Sequence, residues 1–301
     1  MVTMPLVGSR ASIRYRLAAG SPAGQTDVIG RLEALTPRIL VRTKSGELVE
    51  IAPADVVAVR ELSAVPVRAS EIRAVEHAAA LAWPGTEQHW QDGWLLRAGG
   101  GHTSRANSAV PLDFAANLTA LPAIVDWYAE RGLQPWLALP ERLVPVRASG
   151  VKHTRVMVRE SAPASGDDAV EMLDRPDAAW LACYERDVPV EVLTAVVDGE
   201  VVFASVAGVA VCRGAVTTAP DGTRWLGISA VRVGAAHRRK GHARAVCGAL
   251  QAWGTRHGAA RVYVQVLTDN IAAVALYSAL GFGLHHHHRY VDARALTART
   301  L

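Results

Sequence analysis

The sequence predicts a mixed α/β (α+β) protein with a small β-barrel at its amino end, and three observations lead to this class. Residues 1–64 carry alternating apolar and polar side chains with little helical pattern. After residue 68, helical and strand patterns follow one another along the chain. Several strand patterns in succession then precede the helix that begins near residue 241, which indicates an antiparallel meander. A chain of 301 residues has room for two or three such units.

The amino-terminal segment, residues 1–64, reads as a small barrel. Ala11, Ile13, Tyr15 and Leu17 fall on one face of a half-buried strand. Residues 44–47 separate two alternating runs, which predicts a hairpin. The pattern resembles SH3-like and Sm-like barrels. A packing module and a binding module remain equally open for this segment.

Residues 65–160 and 161–301 are predicted as two further domains. A helix over 69–84 has an apolar stripe and stops at Pro84, and a second helix closes at Gly132. The polar stretch 161–168 reads as a linker. Beyond it we predict a short helix, strands over 191–197, 200–213 and 223–233, and a helix from 242. A strand from 261, a helix from 270 and a closing or edge strand near 282–291 complete the chain.

Composition limits the classes of function. Half of the residues are hydrophobic and the formal charge is +4, which admits an anionic ligand without requiring nucleic acid, and we expect no nucleic-acid partner. The sequence has three cysteines, an odd number, and no CxxC pattern. We therefore interpret Cys183, Cys212 and Cys247 as buried thiols of a protein in a reducing compartment. No signal peptide and no run of about 18 apolar residues is found, so we expect a cytoplasmic protein without membrane spans.

The stretch HRRKGHARAV, residues 237–246, is the most informative motif. Arg238, Arg239 and Lys240 run into Gly241, and an apolar stripe of helical spacing follows, made by Ala243, Val246, Cys247, Leu250 and Trp253. The start of a helix leaves backbone N–H groups unpartnered and carries partial positive charge. Glycine allows a close approach of a ligand to the backbone. The turn therefore predicts a site for a phosphate or pyrophosphate.

Two sequence blocks together resemble the GNAT superfamily of acyl-CoA-dependent N-acyltransferases. Residues 238–243 match the [QR]-x-x-G-x-[GA] loop of that family, and Val231-Arg232-Val233 match the strand before it. Asn270, Tyr277 and Gly281-Phe282 match the second block, N-x-x-A-x-x-x-Y-x-x-x-G-F. The resemblance covers residues 168–291. Residues 65–160 share the order of elements but lack the loop, so we interpret them as a degenerate GNAT-like half.

The resemblance implies that the protein is an acyltransferase that moves an acetyl group from acetyl-CoA to a primary amine, leaving CoA. The cofactor-binding residues that it implies are Val231, Arg232, Val233, Arg238, Arg239, Lys240, Gly241, His242, Ala243, Asn270 and Tyr277. Tyr277 would lend a proton to the leaving thiolate, although a core aromatic residue fits the same position. Asn270 would bond the pantetheine arm, cap the next helix, or do both. We expect β-strands that part after residues 231–233 to admit the arm.

The general base is where the sequence departs from the family. Residues 225–233 contain no carboxylate where many GNAT enzymes carry Glu. Ser229 is the candidate on the strand, where it would order a water molecule. Glu185, Glu191 and Asp221 are further candidates, and a substrate amine that arrives neutral is another solution. Residues 105–108 and 92–97 are candidates for the acceptor side of the cleft. The identity of the acceptor and the oligomeric state stay open.

The four histidines at 285–288 carry no metal prediction. Strand alternation would place His285 and His287 on one face, and His286 and His288 on the other. No Cys or HxxE pattern lies nearby, so we predict no functional metal site and only adventitious binding of nickel or zinc. The alternative to an enzyme is a non-catalytic acetyl-CoA sensor, or a scaffold whose barrel binds a partner.

Overall fold

The computed structural model describes residues 4–18, 23–162 and 169–297. The chain forms two compact units, Met1–Val67 and Arg68–Leu301. Within the described residues, no helix combines the length and the apolar character that crossing a bilayer requires.

The first unit is a five-stranded antiparallel sheet. Its strands are β1 (Arg10–Arg16), β2 (Gln25–Ala34), β3 (Ile39–Thr43), β4 (Leu48–Ile51) and β5 (Val56–Leu62). They lie in the order β4-β3-β2-β1-β5. Alternate residues such as Ala11, Ile13 and Leu32 are fully buried, because a strand sends successive side chains to opposite faces. The predicted small β unit and the hairpin between β3 and β4 are confirmed.

The second unit contains seven helices and eleven strands among the described residues. In chain order these are α1 (Ala69–Ala82), β6 (Glu87–Gln91), β7 (Trp94–Ala98), β8 (Val110–Pro111), α2 (Leu121–Ala129), β9 (Trp136–Pro140), β10 (Val151–Glu160), β11 (Glu171–Leu173), α3 (Ala178–Tyr184), α4 (Val190–Thr194), β12 (Glu200–Val206), β13 (Ala210–Thr218), β14 (Arg224–Val233), α5 (His242–Arg256), β15 (Arg261–Leu267), α6 (Ile271–Ala279), β16 (Gly283–Asp292) and α7 (Arg294–Thr297).

One eight-stranded sheet organises this unit, in the order β11-β12-β13-β14-β15-β10-β16-β9. The run β11 to β14 is the expected antiparallel meander, and β14 with β15 is the parallel pair. Strand β10 lies between β15 and β16, antiparallel to both. The stretches 65–160 and 161–301 therefore share a sheet and a core. A smaller sheet of β6, β7 and β8 stands beside it.

Helices cover both faces of the large sheet. On one face α1 packs on Val156, Trp225 and Tyr263. On the other face α5 and α6 pack on the neighbouring strand positions, among them Leu226 and Val264. Adjacent strand residues point to opposite faces, so Trp225 and Leu226 mark the two layers. The stripe predicted for α5 is buried at Val246, Cys247, Leu250 and Trp253, whereas Ala243 is half-buried.

Three local expectations were wrong. Residues 190–194 form the short helix α4, not a strand, because adjacent Val192 and Leu193 are both buried and Pro189 precedes the helix. Residues 200–213 belong to two strands, which a turn at Gly208 separates. Strand β16 is not an edge, because β9 pairs along its outer side. For residues 190–194 a short apolar run leaves helix and strand ambiguous. In the other two cases the strand was predicted correctly, and tertiary pairing decides where it ends or which strands lie beside it.

Gly227 tests the packing of the parallel pair. A Cβ atom at this position would lie 2.2 Å from the hydroxyl oxygen of buried Tyr263. We expect Gly227→Ala to lower the free energy of unfolding by about 1–3 kcal/mol, because overpacking forces the ring or the strand to shift. Urea denaturation followed by circular dichroism measures the change.

Gly248 in α5 is the matched control, because no atom lies within 4 Å of the Cβ built there. We expect Gly248→Ala to raise stability by about 0.5–1 kcal/mol, since alanine is the better helix former. Equal stability of Gly227→Ala and the wild type would show that the contact with Tyr263 relaxes freely.

Candidate active site

The parallel strands β14 and β15 part in the middle of the sheet. They pair from Trp225 with Arg261 to Ile228 with Val264, and no pairing between them follows. The opening therefore begins before Ser229, earlier than the expected position after residues 231–233. A bulge explains the shift, because Ala230 has a φ of 54° and the register with β13 changes between Val211 and Arg213. Beyond the bulge, β14 keeps a strand neighbour on one side only.

The cationic turn lies at the carboxyl end of β14. A short 3-10 turn over Ala235–His237 leads into it, and α5 begins at His242. Gly241 caps the helix with a φ of 88° and Arg239 has a φ of 64°. The carbonyl of Gly241 accepts the N–H groups of Arg244 and Ala245. The N–H groups of residues 241–243 have no partner within the described part of the protein.

The surroundings of this turn are open and positive. No atom lies within 4 Å of a Cβ built on Gly241. Arg238, Arg239 and Lys240 are exposed, and no carboxylate among the described residues pairs with them. His237 and His242 face each other across the turn with ring centroids 6.3 Å apart. Free N–H groups, the helix dipole and three cations thus converge beside the parted strands, as an anion site requires.

Tyr277 and Asn270 come from α6, on the face of the sheet that α5 covers. Tyr277 is buried against Phe282, with ring centroids 5.7 Å apart. Burial, and next the Cys247 and Cys212 thiols, raise the pKa of Tyr277 well above its usual value, so the phenol stays protonated and can donate. The hydroxyl has no hydrogen-bond partner among the described residues. The side-chain oxygen of Asn270 accepts the N–H of Ala273 at 3.2 Å, so Asn270 caps the helix.

Comparisons with known proteins identify the family. Residues 69–291 match the family described as probable histone acetyltransferase Rv0428c, C-terminal, and residues 5–60 match the Rv0428c N-terminal Sm-like domain. The probable histone acetyltransferase Rv0428c of Mycobacterium tuberculosis is 49% identical over 299 residues, which is 98% of each chain. The chain belongs to this family of GNAT acetyltransferases.

Other relatives agree with the GNAT assignment. The uncharacterized N-acetyltransferase YobR of Bacillus subtilis is 27% identical over 253 residues, covering 73% of this chain and 98% of its own. A GCN5-related N-acetyltransferase from Kribbella flavida shares the fold, with a TM-score of 0.52 at 15% identity, over 75% of this chain and 95% of that one. The fold class, the Sm-like amino-terminal domain and the acyltransferase class predicted from sequence are thus confirmed.

Ser229 of this GNAT protein is held in a structural position. Its hydroxyl accepts the indole N–H of Trp83 at 3.1 Å and donates to the carbonyl of Arg213 at 3.4 Å. The side chain is buried beneath α1. Ser229 therefore ties the end of α1 to β14 at the point where the strands part.

Of the three carboxylates proposed from sequence, Glu185 contacts the parted part of β14, whereas Asp221 lies in a turn and Glu191 in α4. Glu185 pairs with Arg232, the middle residue of the strand motif. Asp221 accepts the N–H of Thr223 in the turn at the far end of β14. Glu191 lies in the first turn of α4 and is exposed. The described part of β14 beyond Ile228 thus presents backbone and the side chain of Ser229 rather than an acid.

The sequence pointed to the segment 105–108 but not to Arg105 in particular. The guanidinium carbon of Arg105 lies 4.9 Å from the ring centre of Trp83, in a cation–π contact. Arg213 makes a second cation–π contact with the same indole, at 4.6 Å. The charge of Arg105 lowers the pKa of Tyr277 in part, against the stronger effect of burial. Arg105 approaches the parted strands from the α1 face, whereas Tyr277 approaches from the opposite face. Arg105 lies in a loop, where no helical or strand periodicity applies, so the sequence could not have predicted its contact with Trp83.

Ser229 supplies a stability prediction. Ser229→Ala leaves the buried indole N–H of Trp83 without an acceptor, and an unsatisfied buried donor costs about 1–3 kcal/mol. We expect the free energy of unfolding to fall by that amount in urea denaturation, with acetyl-CoA affinity unchanged by calorimetry.

Ser278→Ala, on the exposed side of α6, is the control and should change stability by less than about 0.5 kcal/mol. If Ser229→Ala proved as stable as Ser278→Ala, the bond to Trp83 would contribute nothing to the fold.

Proposed function

We propose that the protein transfers the acetyl group of acetyl-CoA to a primary amine by direct attack within a ternary complex. The observation that carries the proposal is the open, cationic turn at the start of α5, placed directly beside the parting of β14 and β15. Membership of the GNAT family supports the same chemistry. In this proposal Arg238, Arg239, Lys240 and the free N–H groups of residues 241–243 bind the pyrophosphate.

The parted strand β14 would take the pantetheine arm. Residues Val231, Arg232 and Val233 offer a strand edge that β15 leaves unpaired, and an extended amide chain can bond to such an edge as an added strand does. This placement would direct the thioester from the turn toward Ile228, where the sheet closes. A backbone N–H of the parted strand would polarise the acetyl carbonyl. Asn270, already engaged in capping α6, keeps its amide NH₂ group for the arm.

The reaction forms a C–N bond, breaks a C–S bond and moves one proton from the nitrogen to the sulfur. The amine nitrogen attacks the thioester carbonyl carbon, the C–S bond breaks, and the CoA thiolate leaves. Burial of Tyr277 raises the pKa of its hydroxyl, which therefore stays protonated. That hydroxyl, which has no partner among the described residues, would donate a hydrogen bond or a proton to the sulfur. An amine that arrives as an ammonium ion must lose a further proton before its nitrogen can attack. Beyond Ile228 the described part of β14 carries no carboxylate, and the carboxylate of Glu185 is paired with Arg232. Because Arg105 adds positive charge, the site favours an amine that is already neutral when it binds.

The acceptor is open to a defined set of candidates. The relative from M. tuberculosis is named a probable histone acetyltransferase, so lysine-rich protein tails belong in the assay panel. Small primary amines and peptide amino termini belong there too, because acceptor loops vary on a shared fold. The second candidate function, a non-catalytic acetyl-CoA sensor, draws support from the absence of a carboxylate on the described strand. Turnover with any amine decides against it.

Charge reversal at the turn tests coenzyme binding. We expect Arg239→Glu to weaken acetyl-CoA binding about 10- to 100-fold, because a charge-assisted bond of about 1.5–3 kcal/mol is replaced by repulsion. Isothermal calorimetry with acetyl-CoA and the intact protein measures the change.

Arg256→Glu is the matched control, since Arg256 is an exposed arginine in the last turn of the same helix. It should leave the affinity unchanged at moderate salt. If the wild type took up no acetyl-CoA, or if both reversals weakened binding equally, the turn would not be the pyrophosphate site.

Tyr277→Phe tests the role at the leaving group. We expect turnover, measured as CoA release with an amine panel, to fall by about 10²-fold, since general acid catalysis typically contributes 10²–10⁴-fold. Acetyl-CoA affinity should stay within about twofold, because the hydroxyl acts on the departing sulfur rather than on the bound thioester. Full activity in Tyr277→Phe would make the residue a packing aromatic only.

A further inference from the structure

A buried cluster beneath α1 joins residues far apart in sequence. Glu76 of α1 places its Oε1 atom 2.9 Å from Nε2 of His286 and 3.2 Å from Nδ1 of His288, both on β16. The three donor atoms lie within 4.8 Å of one another. We propose that Glu76, His286 and His288 bind a divalent transition-metal ion, with zinc as the expected occupant. This proposal does not rest on the proposed acetyl transfer.

The backbone explains why these histidines meet one carboxylate. His286 pairs with Val156 of β10 and His288 pairs with Thr154, so the two are separated by one residue and share the α1 face. Glu76 is the carboxylate that the buried side of α1 presents to that face. The register shifts between Val156 and Met157, which places His285 in a bulge beside His286. Simple alternation had set His285 on the opposite face.

The donor set suits zinc. Two imidazole nitrogens and one carboxylate oxygen are ligands that zinc takes in proteins. With metal–ligand bonds of about 2.0–2.1 Å, the donor atoms of a tetrahedral site lie about 3.3 Å apart. The two contacts of Glu76, 2.9 Å and 3.2 Å, therefore need to lengthen by only a few tenths of an ångström. A fourth ligand, such as water, would complete the coordination.

Burial favours a cation at this position. Glu76 is 4% exposed, His286 1% and His288 4%. An ionised carboxylate removed from water to that degree is costly unless an opposite charge or full hydrogen bonding compensates it. Without a metal, both facing imidazole nitrogens must carry protons toward the same oxygen. A divalent ion replaces both protons and neutralises the carboxylate at once.

The other nitrogen of His286 has the kind of outer contact that metal-bound imidazoles use. Its Nδ1 lies 2.8 Å from Nδ1 of His285, and a contact of this length needs one proton between the two rings. When that proton resides on His286, it is donated to His285, and the lone pair of His286 Nε2 is free to bind a metal. Outer hydrogen bonds of this type fix the tautomer and orientation of a ligand imidazole.

A metal bound here would stabilise the fold and would not contact the coenzyme. It lies on the α1 face of the sheet, whereas the cationic turn begins α5 on the opposite face. A metal held by α1 and β16 would join the helix that follows the first unit to a strand near the end of the chain. Bound metal would then add to the stability of the folded state, since the site does not exist in the unfolded chain.

Metal analysis of the intact protein tests the proposal. The full chain is expressed without a histidine tag, purified without chelators, and its first-row metals are measured by mass spectrometry. We expect about one zinc ion per chain, and a melting temperature that falls by several degrees after removal of the metal and recovers with added zinc. A wild type that holds no first-row metal and does not respond to zinc would overturn the site and leave a hydrogen-bonded network.

Three variants locate the metal. Glu76→Gln and His288→Gln should each reduce the bound zinc to below about a tenth of an ion per chain. His287→Gln, a change in the same histidine run at the register position opposite Arg155, should retain it. If Glu76→Gln does not fold, His288→Gln and the chelated wild type still decide the question. Zinc retained in full by folded His288→Gln would place it elsewhere and contradict the proposal.

Discussion

The parting of two parallel strands is the constraint on which the site depends. Four residue pairs hold β14 to β15, and their packing is tight enough that the ring of Tyr263 occupies the space over Gly227. The bulge at Ala230 then turns β14 away while β13 continues to pair with it. A sheet that stayed closed would leave no strand edge inside the molecule, because every interior N–H and C=O would already be paired. The closed segment and the bulge together create an edge that is internal, short and protected.

Residues 68–160 stabilise the parted strands β14 and β15. Strand β10 pairs with β15 along seven residues and with β16 on its other side. Helix α1 is bonded to β13, because Thr217 donates to the carbonyl of Ala78 and Arg213 donates to the carbonyl of Ala82. Residues 68–160 and the carboxyl-terminal stretch therefore share one hydrogen-bonded sheet. Strand β10, which lies outside the family motifs, supports β15 on the side away from β14.

The electrostatics of the opening divide between its two faces. The α5 face carries the exposed cations of the turn, with no described carboxylate to neutralise them. The α1 face carries Arg105 against Trp83, above the fully buried Arg213, whose pKa burial lowers to about 9. In the proposed reaction, a cationic amine entering such a site would be disfavoured relative to its neutral form, because like charges repel strongly in a partly desolvated cleft. This preference for the neutral amine would replace the carboxylate that the strand lacks.

Local sequence determined much of this protein. The cap at Gly241, the stripe of α5, the asparagine that opens α6 and the alternation of β1 are short-range features, and each follows from backbone sterics or from the periodicity of one element. The family motifs are short for the same reason, so the turn and Tyr277 could be found without coordinates. Only the tertiary structure decided the position of β10 between β15 and β16, the helix at 190–194, the bond from Trp83 to Ser229, and the meeting of Glu76 with His286 and His288. Apart from the short helix, these features join residues up to 212 positions apart. Packing and hydrogen bonding select which distant segments pair, and no local pattern of the sequence encodes that choice.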